Sequence, residues 1–151
     1  MIDGVVVKEL KVVPDDRGFL MEVLRRDDSF FSHFGQAYIT AAYPGKIKAW
    51  RLHREQEDNI FCVRGMIKLV MYDTREDSPT SGELVEVFTG EHRPAVVHMP
   101  RGLYHGWKCI STREAWVMNF TTEPYRHDRP DVERLEADTD RIPYDWTIKM
   151  G

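Results

Sequence analysis

The sequence predicts an all-β domain, a sandwich or barrel of short strands. Apolar and β-branched residues come in short runs separated by turn residues, the pattern of all-β folds. No segment before the C-terminal end carries the 3.6-residue period of an amphipathic helix. The 151 residues, 42% hydrophobic and 30% charged, suit one globular domain with one core.

The first strand is expected over residues 5–7, a β-branched run of three valines. The turn Asp15-Asp16-Arg17-Gly18 leads into a strand over 19–23, and Pro44-Gly45 separates strands over 38–42 and 46–53. Arg64-Gly65 divides 60–63 from 66–72, and Gly65 is expected to supply the positive φ of a tight hairpin. Ser78-Pro79-Thr80-Ser81-Gly82 precedes a strand over 84–88, Thr89-Gly90 separates it from 95–99, and Pro100-Arg101-Gly102 follows. The last strand covers 114–120. Around Pro124, Pro130 and Pro143 the chain becomes polar and irregular, with one short helix expected over 131–137. There is no internal repeat or domain boundary, so residues 1–151 read as a single domain.

Composition narrows the function. The longest apolar runs, such as Leu69-Val70-Met71-Tyr72, are far below the roughly 18 residues of a membrane helix. The N-terminus has no basic segment followed by an apolar one, so no secretory signal is expected. Cys62 and Cys109 lie inside expected strands and form no CxxC; they read as buried thiols of a reducing compartment, and a cytoplasmic location follows. A net charge of −4 disfavours a nucleic-acid binder. Lys46, Lys48, Arg51, Arg54, Arg64 and Lys68 nevertheless cluster in one segment, as in a solvated face or a pocket for a small anion such as a nucleotide diphosphate.

Two stretches carry the candidate site. In residues 45–65 a Gly is followed by five residues, then Arg51-Leu52-His53, then Asp58, then six residues and Gly65. In residues 100–107, PRGLYHGW supplies His105 from a facing wall. This spacing brings ligand-type side chains together inside a barrel, but Arg51 stands where a histidine is usual. Arginine neither accepts a proton in a protein nor binds metals. Alternation along a strand puts Arg51 and His53 on one face and Lys48, Trp50 and Leu52 on the other. Buried charge needs a partner, and Asp58 and His105 are the candidates that the spacing offers.

The order of motifs resembles that of the dTDP-4-dehydrorhamnose 3,5-epimerase family within the cupin superfamily. The stretches are DDRGFLMEV (15–23), GKIKAWRLH (45–53), VRGMIKLVMYDTREDSPTSGE (63–83), MPRGLYHGW (99–107), FTTEPY (120–125) and DTDRIPYDW (138–146). The resemblance implies a jelly-roll or double-stranded β-helix barrel, usually a homodimer, with no cofactor. It implies a nucleotide-linked 4-keto-6-deoxyhexose as ligand, with an N-terminal Arg-Gly-Phe segment of one subunit helping to hold the nucleotide at the other.

Residue by residue, the resemblance makes Arg17, Phe19 and Glu22 nucleotide contacts and puts Lys48 where an arginine lies beside the sugar phosphates. His105 and Asp138 match family positions, and Asp138 is implied to orient or tune a histidine. Three positions depart from the pattern: Arg51 replaces the catalytic histidine, Asp58 a lysine, and Asn119 the tyrosine that acts as acid. Since neither Arg51 nor Asn119 can titrate as acid-base catalysis requires, His53 is the substitute base and Arg51 an enolate stabiliser. Inversion at one centre, or tautomerisation, is then expected rather than double epimerisation. Two alternatives stand beside this reading. One is metal chemistry on His53, Asp58 and His105, a two-histidine, one-carboxylate set. The other is a nucleotide-sugar binder that has lost catalysis. Tyr104, Trp50, Trp107 and Trp116 read as core or pocket wall, and His33, His92, His98 and His127 as incidental.

Overall fold

The computed structural model describes residues 1–151. It contains twelve strands and no helix: β1 (Val6–Glu9), β2 (Val13–Asp15), β3 (Gly18–Leu20), β4 (Gln36–Ala42), β5 (Ile47–Leu52), β6 (Asp58–Arg64), β7 (Met66–Asp73), β8 (Leu84–Gly90), β9 (Ala95–Met99), β10 (Leu103–Cys109), β11 (Ala115–Thr121) and β12 (Glu133–Arg134). Two antiparallel five-stranded sheets, ordered β1-β9-β6-β11-β4 and β12-β5-β10-β7-β8, face each other as a jelly-roll barrel; β2 and β3 form a separate hairpin. No helix is long and apolar enough to cross a membrane.

Alternation along the strands explains the main core. Ile60 and Cys62 of β6, Ile67, Leu69 and Met71 of β7, and Val117 of β11 turn inward and form one buried cluster between the sheets. The second sheet is also covered on its outer face, where Trp50, Leu52, Val70 and Tyr104 pack against Ile142 and Trp146 of the C-terminal segment. Strands buried on both sides read as continuous apolar runs, which is why 66–72 shows no clean alternation. Both cysteines are buried and unpaired, and burial pushes the Cys62 thiol up to about 12.

The structure corrects the sequence reading in five places. The expected helix over 131–137 is absent: Glu133 and Arg134 pair with Leu52 and Arg51 of β5, and Leu135 exchanges backbone hydrogen bonds with Trp50. Gly65 has φ 76°, but the strands on either side belong to opposite sheets, so it turns a corner between sheets rather than a hairpin. A Cβ there would lie 2.7 Å from Ser111 Oγ, so the corner needs glycine twice over. The expected strand over 19–23 shrinks to β3, and residues 103–109 form a central strand absent from the sequence reading.

The fifth correction bears on the site. Along β10, His105 pairs with Arg51 and Trp107 with Lys48, so Gly106 alone stands opposite two residues of β5, Ala49 and Trp50. This bulge breaks strict alternation. Lys48 therefore faces the interior with Arg51 instead of pointing away, while Trp50 and Leu52 stay in the outer cluster. Gly106 makes the bulge possible, since a Cβ on it would lie 2.3 Å from Ala49 Cβ.

Candidate active site

The inward-facing positions of β4, β5, β6, β10 and β11 turn polar toward one end of the barrel. Asp58, first residue of β6, lies at the centre and is 2% exposed. Its Oδ2 lies 3.2 Å from His105 Nε2 and 3.5 Å from His53 Nε2. Its Oδ1 accepts from Gln56 Nε2 at 2.7 Å and from Asn119 Nδ2 at 2.9 Å. Burial by itself would push the Asp58 carboxyl up. The hydrogen bond and charge of His105, the charge of His53 and the Asn119 amide outweigh it and hold the group well below the usual carboxylate range.

Both imidazoles are oriented by the backbone. His53 Nδ1 donates to the Asp131 carbonyl at 2.5 Å, and His105 Nδ1 donates to the Leu103 carbonyl at 3.3 Å. Each Nε2 is thereby left as the nitrogen that takes up or releases a proton. Asp58 is the carboxylate between them, so the partner that buried charge demands comes from the motif spacing. Asp138, the candidate by resemblance, is exposed, and every ring nitrogen of the two histidines faces another group. This corrects its assignment as the residue that orients a histidine.

Asp131 was not singled out from sequence. Besides its carbonyl's bond to His53, its carboxylate accepts the backbone N–H groups of Arg54 at 2.9 Å and of Glu55 and Gln56 at 3.0 and 2.9 Å. Burial would raise this carboxyl, but those three donors lower it. Asp131→Ala should therefore cost about 1–3 kcal/mol at pH 7, the scale of unsatisfied part-buried donors. Because the folded-state value lies below the unfolded one, the contribution is complete above about pH 4 and fades as pH falls through the folded value. Thermal melts of both proteins from pH 7 to pH 3 should converge in acid.

A cleft of about 230 Å³ opens onto this cluster between the edges of the two sheets. Gln36 and Tyr38 of β4 form one wall, Arg51 of β5 and His53 just beyond it the other, with Arg126, Arg129 and Arg134 at the mouth. A smaller inner pocket shares Tyr38, Arg51 and His53 and adds Lys48, His105 and Asn119. The acids near the cleft have partners other than Arg51: Glu133 pairs with Arg54 and the Tyr104 hydroxyl, Glu55 with Arg129 at 3.7 Å, and Glu123 with Arg126 at 3.9 Å and with His33. Arg51 is thus an uncompensated cation. Burial, then the Arg51 charge, lowers the Lys48 ammonium, whose Nζ donates to Thr40 Oγ1 at 2.5 Å.

The basic pocket is real but differently built than the cation-rich 46–68 segment suggested. Of that group only Lys48 and Arg51 line it; Arg54 and Arg64 pair with Glu133 and Glu114, and Lys68 lies 4.0 Å from Glu86. The other cations come from residues 126–134, inside the acid-rich stretch of residues 123–145. Arg17, Phe19 and Glu22 lie on or just beyond the exposed β2–β3 hairpin and line no part of the cleft of their own chain. His98 is buried on the outer face of the first sheet, bonded to Asn59 Oδ1 and stacked near Phe30.

A cation-lined cleft with a guanidinium beside a carboxylate-backed histidine thus lies at one end of a jelly-roll barrel. The dTDP-4-dehydrorhamnose 3,5-epimerase family profile matches residues 1–150. The chain belongs to this family. It is 41% identical over 150 residues to the spore coat polysaccharide biosynthesis protein SpsL of Bacillus subtilis, covering 99% of both chains. It is also 41% identical over 151 residues to a probable low-salt glycan biosynthesis epimerase of Haloferax volcanii, covering 99% of this chain and 97% of the relative. Among solved structures, the dTDP sugar isomerase of Desulfovibrio desulfuricans superposes with a TM-score of 0.90 at 32% identity, covering 96% of this chain and 92% of the other. Membership makes the protein a nucleotide-sugar epimerase by family, with a cupin-type barrel.

Arg51 and Asn119 line the inner pocket, and Asp58 backs two histidines. Residues that sequence reasoning missed are Tyr38, Gln56, Asp131 and the three mouth arginines. Strand pairing decides their positions, and no motif spacing marks it.

Proposed function

We propose that the protein inverts one stereocentre of a dTDP- or CDP-linked 4-keto-6-deoxyhexose in polysaccharide biosynthesis. The observation that carries this is the pairing of His53 and Arg51 on one wall of the cleft. The carbon next to a ketone loses its proton to His53 Nε2, and Asp58, 3.5 Å away, stabilises the imidazolium that forms. Charge that develops on the ketone oxygen is met by Arg51, a donor already in place and free of a counter-ion.

The mouth arginines suit a diphosphate, to which guanidinium groups bind in bidentate fashion. A cleft of about 230 Å³ takes a hexose but leaves the nucleoside outside. The β2–β3 hairpin, with Phe19 67% and Leu20 60% exposed, is the segment that a second copy would use to cover it. Arg17 would then reach phosphate and Phe19 stack on the base across a homodimer.

Incubation with dTDP-4-keto-6-deoxyglucose in deuterated water tests the reading. Deuterium is expected at C3 or C5, with inversion at one of them. No deuterium in this substrate or its CDP analogue sinks the proton-transfer reading and favours a binder without catalysis.

A second reading has one specific observation behind it: donor atoms of His53, Asp58 and His105 lie within 4.8 Å of one another, as for a divalent cation. Asp58 Oδ1 is already taken by two amides, so only Oδ2 is free for such an ion. Stoichiometric iron, manganese or zinc, lost on His53→Ala, is the result that favours it.

A further inference from the structure

We infer that Tyr38 is a catalytic residue, the acid that returns a proton to the sugar carbon on the face opposite His53. The inference rests on the epimerase reading above and adds the group which that reading lacks. Inversion next to a ketone needs a proton acceptor on one face and a donor on the other. A histidine stands on one wall of the cleft, and Asn119, deeper in the pocket, cannot donate an acidic proton.

Tyr38 projects inward from β4, directly opposite Asn119 in the β4–β11 register. Its hydroxyl oxygen accepts from Asn119 Nδ2 at 3.0 Å. The direction of that bond is fixed, because Asn119 Oδ1 is occupied by the Asn59 N–H at 3.1 Å and the other Nδ2 hydrogen goes to Asp58 Oδ1 at 2.9 Å. The phenol therefore acts as acceptor toward the protein, and its own hydrogen is free for a ligand. Tyr38 lines both the cleft and the inner pocket, as do Arg51 and His53. Tyr125 lines the outer cleft alone, and the Thr40 hydroxyl is held by Lys48.

The two walls come from different sheets, Tyr38 from β4 of the first and His53 from the residue that follows β5 of the second, so a ring lying between them presents opposite faces to the two groups. Burial, with the Asp58 charge adding to it, keeps the phenol protonated at neutral pH. One connected path, Tyr38–Asn119–Asp58–His53, fixes the acid relative to the base.

The step balances without a co-reactant. His53 Nε2 takes the α-proton, and the C–H electron pair becomes the enolate double bond, with negative charge on the ketone oxygen beside Arg51. The enolate carbon then takes the phenolic proton on its other face, and the ketone re-forms. The imidazolium and phenolate left behind return to neutral by proton exchange with water. A phenol, with a pKa of about 10, is a far stronger acid than the α-carbon of a ketone, so this transfer runs downhill.

Tyr38→Phe separates the acid step from the base step. In deuterated water with dTDP-4-keto-6-deoxyglucose, wild type should exchange and invert. The variant should still exchange the α-hydrogen with retention at a rate within about threefold of wild type, while inversion falls about 10²- to 10⁴-fold, the range of a lost general acid. A thermal melt and dTDP binding report that the variant is folded. Replacing Tyr38 with 3-fluorotyrosine, a more acidic phenol, should shift the upper limb of the inversion pH profile downward and leave exchange unmoved. Wild-type inversion by a folded Tyr38→Phe, or parallel loss of exchange and inversion, overturns the inference and leaves the epimerase reading standing. A wild-type protein that exchanges no deuterium overturns both.

Discussion

His53→Ala should abolish both exchange and inversion, lowering turnover by about 10²- to 10⁴-fold, while the barrel stays folded. The imidazole is partly solvent-accessible, at 12%, at the rim of the polar cluster. Its removal opens the cleft rather than an apolar void; the Asp131 carbonyl it frees can be reached by water, and Asp58 keeps its contacts with His105, Gln56 and Asn119. Nucleotide affinity should change little, because the cations suited to phosphate are the mouth arginines Arg126, Arg129 and Arg134. The prediction is therefore a kcat effect with dTDP binding preserved, read by steady-state kinetics and calorimetry. Loss of affinity in step with turnover would show that His53 binds rather than reacts. His105→Ala should behave differently: its ring is more deeply buried and makes the shorter contact with Asp58, so stability should fall along with activity.

Sequence alone reached the all-β class, most strands, the buried thiols and the convergence of His53, Asp58 and His105. These follow from local signals: short apolar runs, Gly and Pro punctuation, and a spacing that strand geometry converts into a shared interior. What it missed depends on partners distant in the chain. Lys48 was assigned outward because alternation assumes a regular ladder, and a bulge opposite Gly106 shifts the phase by one residue. Residues 131–137 looked helical in isolation, yet the edge of β5 offers hydrogen bonds that a free helix would have to make internally. Asp138 was favoured by its place in a motif, whereas the carboxylate that reaches the histidines sits at the start of β6. Tyr38 carries no motif at all; only the pairing of β4 with β11 puts its hydroxyl beside Asn119.

Two substitutions at Asp58 should divide its structural role from its electrostatic one. Asp58→Ala leaves the Gln56 and Asn119 amides without their common acceptor, and the two imidazoles without the carboxylate they face, in a site that is 2% exposed. Breaking a buried charged network in this way costs about 3–5 kcal/mol, so the variant should melt far below wild type. Asp58→Asn keeps the shape. Its carbonyl oxygen can still accept from Gln56 and Asn119, and its amide can donate toward an imidazole Nε2, the acceptor left once Nδ1 has donated to a backbone carbonyl. Stability at pH 7 should then fall by only about 1–2 kcal/mol, since hydrogen bonds to a neutral group replace those to a charge. Turnover should fall far more than stability, because the imidazolium formed when His53 takes the α-proton loses its counter-charge 3.5 Å away. The remaining cations, Arg51 and Lys48, line the same inner pocket and oppose a new positive charge. Denaturant melts set beside exchange rates give the answer: an Asp58→Asn protein that is stable yet exchanges at the wild-type rate would make Asp58 a packing residue and leave the base without electrostatic support.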